Sequence, residues 1–167
     1  MAEPLHTYLI ALGSNMRRAS VGAPARIIEA SLEMLADTGF AVIARSRIVS
    51  SRPVGPSLRS YANAAALVET ELAPAQCLAS LQAAERQFGR VRRGSRWRGR
   101  PLDLDIVLWS GGMWHSRDLV IPHPLFRLRD FVLLPAAEIA PTWRDPVTGM
   151  TLRQLSRRQR SPRPSSR

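Results

Sequence analysis

Two aspartates separated by one residue, with a run of arginines just before them, are the residues of this chain whose types and spacing could do chemistry. They stand in Arg90-Val91-Arg92-Arg93-Gly94-Ser95-Arg96-Trp97-Arg98-Gly99-Arg100-Pro101-Leu102-Asp103-Leu104-Asp105-Ile106. Side chains of a strand alternate between faces, so a strand over 102–109 puts Asp103 and Asp105 on one face, their Cα atoms roughly 6–7 Å apart. Leu102, Leu104, Ile106 and Leu108 then take the other face. Two carboxylates this close raise each other's proton affinity unless a cation lies between them, and hard oxygen donors suit Mg²⁺. The neighbouring guanidinium groups can grip phosphate oxygens with paired hydrogen bonds. The pattern points to a site for a magnesium–polyphosphate complex.

Such a site needs a frame. Thr7–Leu12 reads as a buried strand ending in a turn at Gly13-Ser14-Asn15, where a glycine could let backbone amides approach a ligand. Pro24 to Thr38 has helical periodicity, with a proline in the first turn and Gly39 past the end. Phe40–Val49 alternates as one half-exposed strand, followed by a stiff loop at Ser51-Arg52-Pro53-Val54-Gly55-Pro56. Tyr61–Thr70 reads as the next strand, with Tyr61 and Asn63 on one face; an amide offers a donor and an acceptor together, as the edge of a heterocycle requires. Pro74–Phe88 is a second helix, stopped by Gly89, with Leu78, Leu81, Ala84 and Phe88 on its apolar stripe and Gln82 and Glu85 beside it. Glu85 could meet a ligand or pair with a loop arginine. After the 102–109 strand, His123 lies between Pro122 and Pro124, and Leu125–Ile139 is largely helical with a break near Asp130 and Pro135. Residues 142–149 form a turn or small hairpin. The order strand–helix–strand–strand–helix–strand predicts an α+β fold, a ferredoxin-like sandwich with a βαββαβ core, an antiparallel sheet and a C-terminal helical addition. Residues 1–155 are expected to be a single domain, and the basic 156–167 a disordered tail.

Composition narrows the classes. At 167 residues and 45% hydrophobic content the chain can bury one core. It has no apolar run long enough to span a membrane and no basic leader at its start, so it is expected to be cytoplasmic, with no membrane partner. The single cysteine, Cys77, excludes an internal disulfide and a cysteine cluster for metal. Arg90, Arg92, Arg93, Arg96, Arg98 and Arg100 with Arg157, Arg158, Arg160, Arg163 and Arg167 equal the whole net charge of +11. The excess is therefore one local anion site plus a tail rather than a basic face, which argues against nucleic acid as partner. There is no lysine, so neither a P-loop lysine nor a Schiff base is available.

In order along the chain, Ala11-Leu12-Gly13-Ser14-Asn15, Tyr61-Ala62-Asn63-Ala64, Glu85, Gly89-Arg90-Val91-Arg92, Arg96-Trp97, Arg100-Pro101-Leu102-Asp103-Leu104-Asp105-Ile106, Ile121-Pro122-His123-Pro124, Arg129-Asp130-Phe131-Val132-Leu133 and Glu138-Ile139-Ala140-Pro141 make a specific set. With these motifs the chain resembles the 6-hydroxymethyl-7,8-dihydropterin pyrophosphokinase family of folate biosynthesis, which moves pyrophosphate from ATP to a pterin alcohol and releases AMP. The resemblance implies that Asp103 and Asp105 bind two Mg²⁺ ions and that Arg90, Arg92 and Arg100 hold phosphate charge, with His123 and Arg129 assisting. It implies that Gln82, Glu85 and Ile106 lie along the ATP site, and that Trp97 rides on a loop closing over both substrates. For the pterin it implies Asn63 as hydrogen-bonding partner, Tyr61 and Phe131 flanking the ring, and Ser51, Val54 and Gly55 in the pocket wall. A monomer acting on two small molecules is expected. The chain departs from the family where Arg96-Trp97-Arg98-Gly99-Arg100 replaces the usual Arg-Trp-Gly-Pro-Arg, and where Ser51-Arg52-Pro53-Val54-Gly55 replaces a Thr-Pro-Pro-Leu-Gly wall.

The rival reading is a ferredoxin-like RNA-binding domain using the arginine-rich loop. It asks for aromatic residues on central strands for base stacking and gives no reason for Asp103 and Asp105. A metal-dependent nuclease would explain the aspartates but not the pterin-like wall.

Overall fold

The architecture follows from one central strand that is paired on both sides. The computed structural model describes residues 4–51, 61–89 and 101–161. Strand β1 (His6–Ser14) lies between β4 (Tyr61–Thr70) and β5 (Asp103–Trp109), all antiparallel. Outside β4 lie β2 (Ala41–Arg45) and β3 (Val49–Ser51), giving the order β2–β4–β1–β5 with β3 also on β4. This is the α+β, ferredoxin-like arrangement read from the element order.

Helices α1 (Pro24–Asp37) and α2 (Pro74–Gln87) cover one face of the sheet. Tyr8, Ile10, Leu12, Ala64, Ala66, Val68, Leu104 and Ile106 meet Ile27, Ile28, Leu35, Cys77 and Leu81 there. The C-terminal addition covers part of the other face: a 3₁₀ turn (Phe126–Leu128), α3 (Asp130–Ile139) and α4 (Leu152–Arg160). Its core joins Leu9, Ala65, Val107 and Leu108 to Phe126, Val132, Leu133, Ala136, Leu152 and Leu155. A short hairpin pairs β6 (Trp114–His115) with β7 (Val120–Ile121). No described helix is long and apolar enough to cross a membrane.

Four expectations change. Gly13 and Ser14 do not turn; they continue β1, opposite Asn63 and Ala62 on β4, and Gly13 is also opposite Asp103 on β5, so the ladder takes up backbone groups that a turn would leave to solvent. The strand expected over 40–49 is two strands, interrupted where Ser46 Oγ accepts the Ala65 N–H at 2.9 Å and donates to Arg47 O at 2.8 Å. A register shift between Leu9 and Ile10 on β1 puts Leu108 in the second core beside Val107, while Leu102, Leu104 and Ile106 stay in the first. Residues 156–160, expected to be disordered, complete α4, where Leu152, Leu155 and Ser156 are buried.

Candidate active site

Because β1 is paired on both sides, its residues decide which side chains of β4 and β5 meet across it. Gly13 lies opposite Asn63 and opposite Asp103; Ala11 lies opposite Ala65 and opposite Asp105. Two rows therefore cross three strands, and in each row the central residue carries a methyl group or nothing. A β-carbon built on Gly13 would lie 3.4 Å from Asn63 Oδ1, 3.9 Å from Tyr61 Cδ1 and 4.0 Å from Asp103 Cβ. Asn63, Tyr61 and Asp103 thus converge on the Gly13 position, and any longer side chain there would occupy the floor between them. Asp103 is half-buried and Asp105 exposed, on the alternation expected.

At the β4 end of the Gly13 row, Asn63 is buried and its Nδ2 donates to Ser51 Oγ at 2.8 Å. Ser51 is paired opposite Tyr61, so Ser51, Tyr61 and Asn63 form one polar and aromatic corner. Phe131, in the first turn of α3, packs at the margin of the second core, with the Arg129 guanidinium 5.8 Å from its ring centre.

His123 is fixed beside β5 by its backbone N–H, which donates to Val107 O at 3.0 Å. Its Nδ1 accepts the Leu125 N–H at 3.1 Å, so the neutral ring carries its proton on Nε2 as a donor. Burial lowers the proton affinity of His123 below the ordinary histidine value, the Asp105 carboxylate opposes this, and Arg129 adds to the lowering. His123, Asp105 and Arg129 are therefore electrostatic neighbours, and the histidine is a neutral donor beside two fixed charges of opposite sign.

Of the other candidates, Gln82 is half-buried on α2. Glu85, 2% exposed, accepts the Leu104 N–H at 2.9 Å. The Ile106 side chain is in the first core, on the face away from the aspartates. Arg90, Arg92, Trp97, Arg100, Val54 and Gly55 lie outside the described residues.

The donor set fits magnesium. Among the described residues no group of three or more His, Cys, Asp or Glu side chains could hold a metal ion, and Cys77 is buried in the first core. What Asp103 and Asp105 offer is two carboxylates one row apart, which suits an ion that keeps several waters and binds through one or two carboxylates plus substrate phosphates.

The charge pattern of the sequence had suggested nothing about Arg127, which is two residues from Arg129. Its Nε and Nη2 each donate to a different oxygen of Asp145, both at 2.7 Å. Asp145 is fully buried and also accepts the Val147 N–H at 3.1 Å and the Thr148 hydroxyl at 2.6 Å. Arg127 thus clips the 3₁₀ turn to the 145–150 hairpin. A proline-containing hairpin after a helix is legible, but not which arginine it holds.

A family model described as 7,8-dihydro-6-hydroxymethylpterin-pyrophosphokinase (HPPK) matches residues 9–141. Curated relatives named 2-amino-4-hydroxy-6-hydroxymethyldihydropteridine pyrophosphokinase include one from Synechocystis, 36% identical over 153 residues, covering 92% of this chain and 76% of the relative. Another, from Pseudomonas aeruginosa, is 39% identical over 141 residues and covers 82% of each chain. Among solved structures, wild-type Plasmodium falciparum HPPK-DHPS superposes with a TM-score of 0.71 at 13% identity, covering 93% of this chain; the present chain spans 45% of that longer one. At that identity the likeness speaks for the fold alone. The matches lend no support to the RNA-binding alternative. The chain belongs to the 7,8-dihydro-6-hydroxymethylpterin-pyrophosphokinase family, ATP-dependent pyrophosphokinases of folate synthesis.

Proposed function

We propose that this chain transfers the pyrophosphoryl group of ATP to the hydroxymethyl oxygen of 6-hydroxymethyl-7,8-dihydropterin by in-line attack at the β-phosphorus. The bond formed is oxygen to β-phosphorus; the bond broken joins that phosphorus to the oxygen bridging to the α-phosphate. AMP leaves with the bridging oxygen and its electron pair, and the hydroxyl proton passes to solvent or to a phosphate oxygen. Two magnesium ions, held by Asp103 and Asp105, would offset charge on the attacking and leaving oxygens.

The chain's own residues divide the remaining work. Asn63 hydrogen-bonds the pterin edge, Tyr61 and Phe131 flank its ring, and Ser51 holds the Asn63 amide. His123, as a neutral Nε2 donor, and Arg129 take phosphate oxygens. Gln82 lies along the nucleotide, and Arg90, Arg92 and Arg100, read from the sequence, add phosphate contacts. No residue in this set is needed as a general base, since alignment and electrostatics supply the rate. The protein is read as a single domain acting as a monomer on two small molecules in the cytoplasm.

The observation that supports this best is the pair of rows across Gly13 and Ala11, where an amide and an aromatic ring face two carboxylates over a floor of small residues. Incubation with MgATP and the pterin alcohol should give AMP and the pterin diphosphate in equal amounts. AMP no higher than in a control lacking pterin, from folded protein, would contradict the proposal.

A further inference from the structure

We infer that Glu85 is a positioning residue: from the helix behind β5 it fixes the strand segment that carries Asp103 and Asp105. The inference rests on the reading of those two aspartates as the metal platform.

Among the described residues β5 is the edge of the sheet, paired with β1 alone. An edge strand presents unpaired backbone groups on its outer side and is held less firmly than a central one. Among the described residues, two of the hydrogen bonds on that outer edge lie close to the aspartates. The His123 N–H donates to Val107 O at 3.0 Å, and the Leu104 N–H donates to Glu85 Oε1 at 2.9 Å. Leu104 is the residue between the two aspartates, so this second tie acts on the peptide plane that sets their relative orientation. Glu85 is 2% exposed, in the last turn of a helix anchored by Leu81 and Ala84. A buried carboxylate is costly where an apolar residue would pack, and a charge-assisted bond to a backbone N–H is stronger than a neutral one. Groups that orient metal-binding carboxylates typically change metal affinity by about 10–100-fold when removed.

The test uses the full chain with Glu85→Leu, which keeps a buried side chain and removes the acceptor, and Glu85→Gln, which keeps an oxygen acceptor. Two readouts are needed: amide hydrogen exchange at Leu104, and magnesium binding by calorimetry with an ATP analogue whose α and β phosphorus atoms are joined by a methylene. Glu85→Leu should speed exchange at Leu104 by at least about tenfold with Val68 still protected, and weaken magnesium about 10–100-fold. Glu85→Gln should recover most of both. Unchanged Leu104 protection and unchanged magnesium affinity in Glu85→Leu would overturn the inference. Should Glu85→Leu fail to fold, Glu85→Gln decides: affinity within about threefold of the parent supports the inference, and a loss as large as that expected for Glu85→Leu overturns it. Asp103→Asn separates the two levels. If it leaves magnesium binding intact the platform reading fails, whereas if it abolishes binding while Glu85→Leu does not alter it, the positioning role alone fails.

Discussion

Asp145 and the Asp103–Asp105 pair are carboxylates on the same side of one sheet, and they differ in exposure and in the elements that carry them. Asp145 is fully enclosed, with a guanidinium, a backbone N–H and a hydroxyl all donating to it. Asp103 and Asp105 stand half-buried and exposed at the end of two rows floored by Gly13, Ala11 and Ala65. A carboxylate whose lone pairs are filled by its own chain can brace a fold and has nothing left for a ligand. One nearer the surface and set beside small residues, as Asp105 is with His123 as its electrostatic neighbour, is within reach of a cation. On the proposed function, the comparison separates a structural charge from a chemical one, although both look alike in composition.

The comparison breaks first if the Asp103–Asp105 pair is dispensable. Asp103→Ala or Asp105→Ala should lower turnover by about a thousandfold or more, on the order of 4 kcal/mol of transition-state stabilisation, with a thermal midpoint close to that of the parent. Turnover near normal in either variant, measured as AMP release, would remove the distinction. The converse change, Asp145→Ala, strands the Arg127 guanidinium and should cost about 3 kcal/mol of stability in urea unfolding. Activity per folded molecule should change little, and a large kinetic loss without a stability loss would mean that the clip belongs to the site.

Acid sharpens the contrast. Burial raises the Asp145 carboxyl, but hydrogen bonds from Arg127, Thr148 and Val147, with the Arg127 charge, outweigh it and hold the group at about 2 against an ordinary 3.8. A depressed carboxyl stabilises the fold in full above 3.8 and loses that contribution as pH falls through the range down to about 2. About 2 kcal/mol should disappear there, and Asp145→Asn should lose less over the same range; parallel pH profiles of the two proteins would contradict this. The smallest effect is expected at the pterin corner, where Asn63→Ala should raise KM for the pterin about tenfold, near 1.4 kcal/mol, with KM for MgATP little changed. Equal shifts in both constants would put Asn63 elsewhere in the mechanism.

Local pattern carried the reading a long way and failed where distant pairing decides. Period two put Asp103 and Asp105 together, and helix periodicity with Pro24 and Pro74 found α1 and α2 to within a residue. The Gly13–Asn63–Asp103 row depends on the register of strands some fifty and ninety residues away from Gly13, which no local window contains. The same register, through its shift at Leu9 and Ile10, moved Leu108 to the other core. The Arg127–Asp145 clip and the Glu85–Leu104 tie are also long-range. α4 was missed for a different reason, since its arginines hid a legible start: Thr151 Oγ1 accepts the Gln154 N–H at 3.2 Å and Gln154 Oε1 accepts the Thr151 N–H at 2.9 Å. That reciprocal pair is a capping box, and Leu152 and Leu155 supply the apolar face.

The central claim, attack at the β-phosphorus beside Asp103 and Asp105, is tested most directly with ATP carrying heavy oxygen in the bridge between its α and β phosphates. Turnover with the pterin alcohol should deliver that oxygen entirely to AMP. Heavy oxygen retained in the transferred group or in released pyrophosphate, or ADP in place of AMP, would contradict it.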